Sequence, residues 1–398
     1  MTSTPTNPAA PIPTDPIWID QNHDLAELCE RWRGQGAIAV DTEFMRSETF
    51  YPIAGLLQIG DGRGCYLIDP LAIDELEPLR TLFQDPEVTK VLHACSEDLE
   101  VFQRWLGVLP EPLFDTQIGA AFAGLGFSIG YANLVNTLLD IDIPKGETRS
   151  DWLQRPLSVP QKKYAALDVA HMLVVYGKLL KMLRETGRLE WARADSAELV
   201  ANAKAEPDFE RYYLKLGSAW KLRRRELAVL RRLSAWRERE ARERDRPRNR
   251  LIKEAGLWEL ARRQPSDRAQ LQALKDVPAH TQVEEGEALL AEIQVALSEP
   301  ESDWPERLDP PLGRAEAPMM KALKRHVRGI AESLALPPEL LVRKREYEAI
   351  VRSGLKGGSF ELPQRLKGWR FELLGQGLLE AAERERSSLP ETGEESEQ

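Results

Sequence analysis

Residues 37–44 read Ala-Ile-Ala-Val-Asp-Thr-Glu-Phe, with four small or β-branched apolar positions running straight into Asp41, Thr42 and Glu43. Such a run predicts a buried strand ending in two carboxylates. Side chains alternate across a strand, so Asp41 and Glu43 project from one face, one pleat apart. Like charges held that close repel unless a cation lies between them, and hard carboxylate oxygens suit Mg²⁺ or Mn²⁺ better than a soft metal. An isolated Asp-x-Glu is more often a strand end whose acids face water, so the rest of the chain must supply the rest of a site.

Outward from this strand the pattern is that of an α/β fold. Ile17–Ile19 reads as a short edge strand, and residues 22–33 carry helical spacing through Leu25, Leu28 and Trp32. Residues 54–59 and 64–68 read as two strands joined by Asp61-Gly62-Arg63, a tight-turn signal for an antiparallel hairpin. A helix is expected from Asp74, as N-cap, to Phe83, and a strand at residues 90–93. Ser96 is then expected to cap a helix with Glu97, Asp98 and Glu100 in its first turn, where the helix dipole favours acids. A helix start after a strand is also where such folds present ligand groups, which makes Asp98 a third candidate carboxylate.

Residues 116–123 and 131–139 read as helices separated by a break at 124–130. The polar stretch 145–152 holds Lys145, Arg149 and Trp152, residue types that contact a phosphate and stack a base but equally suit a solvated loop. Ser158 or Pro160 opens a long helix on which Tyr164 and Asp168, four apart, share one face. Ala165, Leu167 and Val169 around them are core-like, and an unpaired carboxylate is costly to bury there. Taken together, Asp41, Glu43, Asp98 and Asp168 can hold two divalent cations about 3.5–4 Å apart, clamping the attacking and leaving oxygens of phosphodiester hydrolysis. The Tyr164 phenol can orient the attacking water.

In these pieces the chain resembles the ribonuclease D family of DEDD exonucleases, which has an RNase H-like fold. The resemblance is carried by Val40-Asp41-Thr42-Glu43-Phe44, by Leu92-His93-Ala94-Cys95-Ser96-Glu97-Asp98-Leu99-Glu100-Val101-Phe102 and by Asp115-Thr116-Gln117. It continues in Ser150-Asp151-Trp152-Leu153-Gln154-Arg155-Pro156-Leu157 and Tyr164-Ala165-Ala166-Leu167-Asp168-Val169. A tyrosine four before the last aspartate matches the DEDDy branch; the sister branch has histidine five before it, where this chain has Lys163. The resemblance implies a mixed sheet flanked by helices and a metal-dependent 3′-to-5′ exoribonuclease that releases 5′-mononucleotides, with transfer RNA precursors as substrates. It also implies that Asp41 bridges both metals, Glu43 and Asp168 hold the metal that activates water, Asp98 supports the second, and Tyr164 positions the water.

Beyond a polar hinge at residues 204–208, the segment from Lys221 to Arg250 has thirteen Lys or Arg against five Asp or Glu. This is a basic stretch hidden by an overall net charge of -10. Two readings stand: a solvated helix laced with ion pairs, or an RNA-backbone surface using Arg223, Arg224, Arg248 and Arg250. Leu227, Leu230, Leu233 and Trp236, followed by Arg246-Pro247-Arg248-Asn249-Arg250, resemble a helicase-and-RNase-D C-terminal (HRDC) domain. The expected organisation is a disordered leader over 1–16, an exonuclease domain over 17–205, an HRDC domain over 210–290, a second HRDC-like helical domain over 300–382 and a disordered polar tail over 383–398.

Three scattered cysteines and five unpaired histidines indicate neither a disulfide framework nor a zinc site. Residues 1–16 have neither a basic start nor an apolar h-region and no apolar run reaches membrane length, so a cytoplasmic protein acting on RNA, with no membrane partner, is expected; its oligomeric state is open, with a monomer favoured. A DNA exonuclease of the same superfamily would carry the same acids, because the metals act on the phosphodiester. A catalytically silent RNA-binding adaptor would keep the helical modules but has no use for the full carboxylate set.

Overall fold

The computed structural model describes residues 14–386 except 145, 148, 149, 356 and 357. Residues 1–13 of the expected leader and the tail from 387 therefore lie outside the described residues, whereas Pro16 already belongs to a strand and Glu383 to a helix. The chain divides into two compact units. One comprises the chain through Phe44, Ala54–Ala203 and the segment from Leu312; the other comprises Met45–Ile53 and Lys204–Pro311.

The first unit is built on six strands, β1 (Pro16–Ile19), β2 (Ala37–Met45), β3 (Ile53–Gly60), β4 (Cys65–Ile68), β5 (Thr89–Leu92) and β6 (Leu113–Asp115), in spatial order β1-β4-β3-β2-β5-β6. β3 and β4 form the expected antiparallel hairpin, while β1 pairs parallel with β4, β2 with β5 and β5 with β6. The sheet is thus mixed, and β2 sits inside it. Around it lie α1 (Asn22–Arg33), α2 (Glu77–Gln84), α3 (Ser96–Trp105), α4 (Thr116–Phe122), α5 (Tyr131–Leu139), α6 (Val159–Ala170), α7 (Met172–Glu185) and α8 (Leu189–Lys204).

Strand alternation divides β2 cleanly. Ile38 and Val40 pack with Leu25 and Trp32 of α1, Leu82 of α2 and Leu99 of α3. Ala39 faces the other way, against Ala166 and Val169 of α6. Asp41 and Glu43 continue the Ala39 face. Two expected caps differ. Leu76, not Asp74, precedes α2, because the Asp74 carboxylate accepts instead from the Asn22 side-chain amide. Cys95, not Ser96, is the N-cap of α3, and Ser96 is already helical.

The second unit contains α9 (Arg224–Glu243), α10 (Arg248–Leu251), α11 (Glu254–Arg263), α12 (Arg268–Gln272), α13 (Ala279–Glu284) and α14 (Gly286–Ser298), and α9 presents Leu227, Leu230, Leu233 and Trp236 to a core completed by α11, α12 and α14. Phe50 packs on Ala241 and Leu251, with the Arg242 and Arg248 guanidinium carbons 4.6 and 4.7 Å from its ring centroid.

The C-terminal segment adds α15 (Ala317–Leu334), α16 (Pro338–Leu341), α17 (Lys344–Leu355) and α18 (Gln376–Arg384). It shares one core with the first unit: Met319, Leu323, Val327 and Leu378 pack in a cluster with Phe122, Leu134, Leu179 and Leu183. At this seam Trp191 and Trp369 stack with centroids 4.6 Å apart, and buried Arg370 donates to both Asp195 oxygens at 2.8 and 2.5 Å. Removing one partner of a buried ion pair leaves an uncompensated charge, normally worth about 3–5 kcal/mol. Arg365 stands 3.7 Å from Asp195 and softens the loss. Arg370→Met is therefore expected to cost about 3 kcal/mol in urea unfolding, and a loss below 1 kcal/mol would show that Arg365 takes over fully.

Candidate metal and catalytic site

Each acid reaches the site by a local device. Asp41 and Glu43 lie toward the C-terminal end of β2, where the next parallel strand, β5, turns into α3. Ligand groups gather outside the carboxyl ends of parallel strands in such sheets. α6 starts with a capping box: Gln161 N donates to Ser158 Oγ at 3.3 Å, and Ser158 N donates to Gln161 Oε1 at 2.9 Å. Buried Ala165, Ala166 and Val169 set the helix on the sheet, and Tyr164 and Asp168, one turn apart, reach the end of β2, where the phenol hydrogen-bonds the Asp168 carboxylate.

Carboxylate oxygens of Asp41, Glu43 and Asp168 lie within 4.8 Å of one another, the candidate metal cluster found among the described residues. Asp98 stands outside this trio. It is buried on α3 and accepts a hydrogen bond from Thr42 Oγ1 at 2.5 Å, so the residue between the two strand acids tethers it. The expected four are therefore brought together as three plus one.

Electrostatics agree with the geometry. Burial, then the charges of Asp168, Asp98 and Glu43, push Asp41 well above the usual carboxylate range. Burial followed by Asp168 and Asp98 lifts Glu43 to about 9. Burial lifts Asp168 to about 7 against the opposing hydrogen bond from Tyr164, and lifts Asp98 to about 6 against that from Thr42. Burial and the neighbouring acids push the Tyr164 phenol upward as well, so it stays protonated. Four carboxylates that resist ionisation together are a donor set suited to hard divalent cations, whose charge removes the repulsion.

Two supporting residues escaped the reading of the sequence. Asp115, 2% exposed, accepts from the backbone N–H groups of Ala94, Cys95, Gln117 and Ile118, fixing the turn that starts α3 and the start of α4 at once. Arg155 grips both Asp69 oxygens at 2.6 and 2.8 Å and also donates to the Gly55 and Trp152 carbonyls, which pins the approach to α6 against β3. The signal for both lay in the motif stretches, but nothing local distinguishes such acids and arginines from solvated ones.

The expected RNA contacts fare differently. Lys145 and Arg149 lie outside the described residues. Trp152 is 1% exposed, packed on Leu56, Leu67, Leu157 and Ala165 with its ring 6.2 Å from that of Tyr164. It is a floor beneath Tyr164 and is closed to a base. Arg248 binds fully buried Glu238 at 2.5 and 2.8 Å. Arg224 donates to the Glu301, Trp304 and Pro305 carbonyls, and Arg250 pairs with Glu48 at 3.0 Å. Only Arg223 of these four remains exposed without an ion pair among the described residues. Along α9, Arg231, Arg232, Arg242 and Arg244 pair with Glu299, Glu292, Glu238 and Glu285. The basic stretch is thus largely neutralised within its own unit, mainly by acids of α14 and its caps and only in part by the Arg-Glu alternation along α9.

Residues 16–184 match the 3′-5′ exonuclease family, and residues 226–293 match the HRDC domain. Ribonuclease D of Pseudomonas paraeruginosa is 50% identical over 366 residues, 92% of this chain and 97% of that protein. Ribonuclease D of Escherichia coli K12 is 39% identical over 370 residues, 90% of this chain and 96% of that protein. The crystal structure of Escherichia coli RNase D, described as an exoribonuclease involved in structured RNA processing, is similar with a TM-score of 0.86 and 36% identity. It covers 92% of this chain and 98% of that one. The expected RNase H-like exonuclease fold followed by an HRDC domain is therefore present.

Proposed function

The chain belongs to the ribonuclease D family and is a 3′-to-5′ exoribonuclease, and we propose that it uses two divalent cations, Mg²⁺ or Mn²⁺, held by Asp41, Glu43, Asp98 and Asp168. The observation that carries this site is the convergence of Asp41, Glu43 and Asp168 oxygens within 4.8 Å. Bound cations would lower the pKa of water and neutralise charge on the phosphate. That Asp41 feels the charges of all three other acids supports its bridging both cations. In this reading Glu43 and Asp168 hold the cation that activates water, and Asp98, tethered by Thr42, supports the second.

Tyr164 acts as a neutral phenol. Bonded to Asp168, it fixes the water's orientation rather than removing its proton. The water oxygen bonds to the last phosphodiester phosphorus as the bond to the 3′-oxygen of the penultimate nucleotide breaks; the water's proton passes to solvent, that 3′-oxygen takes one up as a hydroxyl, and the phosphate stays on the 5′-oxygen of the released mononucleotide. In this reading transfer RNA precursors are the substrates, and a cytoplasmic monomer is the working form. No helix among the described residues is long and apolar enough to cross a membrane.

The C-terminal segment is read as a second, divergent HRDC-like copy. α9, α10 and α11 span 20, 4 and 10 residues with Pro247 as N-cap of the short helix; α15, α16 and α17 span 18, 4 and 12 residues with Pro337 in that place.

A time course on 5′-labelled RNA and DNA with single-stranded 3′ tails, in Mg²⁺, Mn²⁺ or chelator, tests this reading. Metal-dependent ladders shortening from the RNA 3′ end are expected. Tyr164→Phe should lower kcat by about 10²-fold with KM nearly unchanged. Shortening of DNA alone, or RNA shortening in chelator, would overturn it.

A further inference from the structure

α15 has a buried face made of Met319, Leu323, Val327 and Ala331. Opposite it lie Lys321, Lys324, Arg325 and Arg328, all exposed and spaced i, i+3, i+4, i+7. At about 100° per residue these four fall within one arc of roughly 100°. None of them makes an ion pair among the described residues, in contrast to the arginines of α9. On the helix and its cap the acids are Glu316, which accepts from the Gly313 N–H, and exposed Glu332, one turn beyond Arg328; from neighbouring elements Glu380 acts on His326, and Glu339 and Glu346 act on Tyr347 beside Arg328. The stripe therefore keeps a local excess of positive charge in a chain whose net charge is -10.

An uncompensated row of cations repels itself and contributes nothing to folding, whereas against a polyanion it releases counterions. Seven residues of helix cover about 10 Å, roughly three phosphates of one strand along a duplex axis. The stripe also belongs to the compact unit that contains the carboxylate site, sharing its core through Met319, Leu323 and Val327.

We propose that Lys321, Lys324, Arg325 and Arg328 form the RNA-backbone surface of this enzyme, the role that composition alone suggested for the Lys221–Arg250 stretch. The choice of RNA as the polyanion rests on the exoribonuclease reading; the stripe itself does not.

The test is equilibrium binding of a hairpin RNA with a single-stranded 3′ tail, measured in chelator so that catalysis plays no part, across a series of salt concentrations. Replacing all four residues by Gln keeps their stems and removes only charge. The variant should bind about 10- to 100-fold more weakly at low salt, and the slope of log Kd against log salt should fall by about 2–3. A comparison variant replaces four exposed cations of the second unit, Lys253, Arg262, Arg263 and Lys275, by Gln. Unchanged binding and slope in the stripe variant, with its thermal melt intact, would overturn the proposal, as would an equal loss in the comparison variant. Turnover of a trinucleotide run alongside keeps the readings apart. If the wild type binds RNA through the stripe but cleaves neither substrate with metal, the exonuclease reading fails and the surface stands.

Discussion

Asp41→Asn is expected to reduce exonuclease turnover by about 10³-fold or more, corresponding to several kcal/mol of lost transition-state stabilisation at the metal centre. The reason is positional. Asp41 is the acid that feels Asp168, Asp98 and Glu43 together, so under the proposed two-cation site replacing it weakens both positions. RNA affinity in chelator should change by less than about threefold, because no phosphate-binding cation is touched. Folding should survive or improve, since the substitution takes one ionisable acid out of a cluster whose members repel when charged. Single-turnover cleavage, RNA binding and circular dichroism on one preparation check all three. Residual turnover within tenfold of wild type would remove Asp41 from the centre of the site.

The strand that bears Asp41 was legible because its chemistry is local. An apolar run closing on Asp-x-Glu fixes both a buried strand and the face its acids take, and the Tyr164/Asp168 spacing fixes one face of a helix in the same way. The hairpin at Asp61-Gly62-Arg63 was legible for the same reason. What failed was partnership between distant residues. Trp152 has the composition of a base-stacking residue, yet Leu56, Leu67 and Ala165 from three separate elements close over it. Arg248 looks like a phosphate ligand until Glu238, ten residues earlier, proves to be fully buried and in need of it. Asp115 is one acid among many until four backbone N–H groups converge on it. Burial decides each case, and burial is set by the fold rather than by neighbours in sequence.

The metal-free protein is expected to lose stability as pH rises, and a divalent cation is expected to reverse that trend. Glu43, Asp168 and Asp98 have folded values of about 9, about 7 and about 6, above their ordinary 4.5, 3.8 and 3.8. With folded values raised, the folded state binds more protons than the unfolded one, so the slope of stability against pH is negative. The contribution is complete below about pH 4, where both states are protonated. It is lost as pH rises through about 6, 7 and 9, the folded values of these acids. Because the acids titrate as a cluster, the loss between pH 6 and 9 is on the order of 5 kcal/mol, or roughly 10 °C in melting temperature. A cation binds the deprotonated carboxylates, so saturating Mg²⁺ or Mn²⁺ should raise the melting temperature far more at pH 8.5 than at pH 6. Glu43→Gln should flatten the slope in chelator and shrink the gain from metal. Thermal unfolding of wild type and variant at the two pH values, with chelator and with each metal, measures every term. Equal or greater stability of the chelated wild type at pH 8.5 would mean that the acids do not repel as their burial requires, and the cation would then have no strain to relieve.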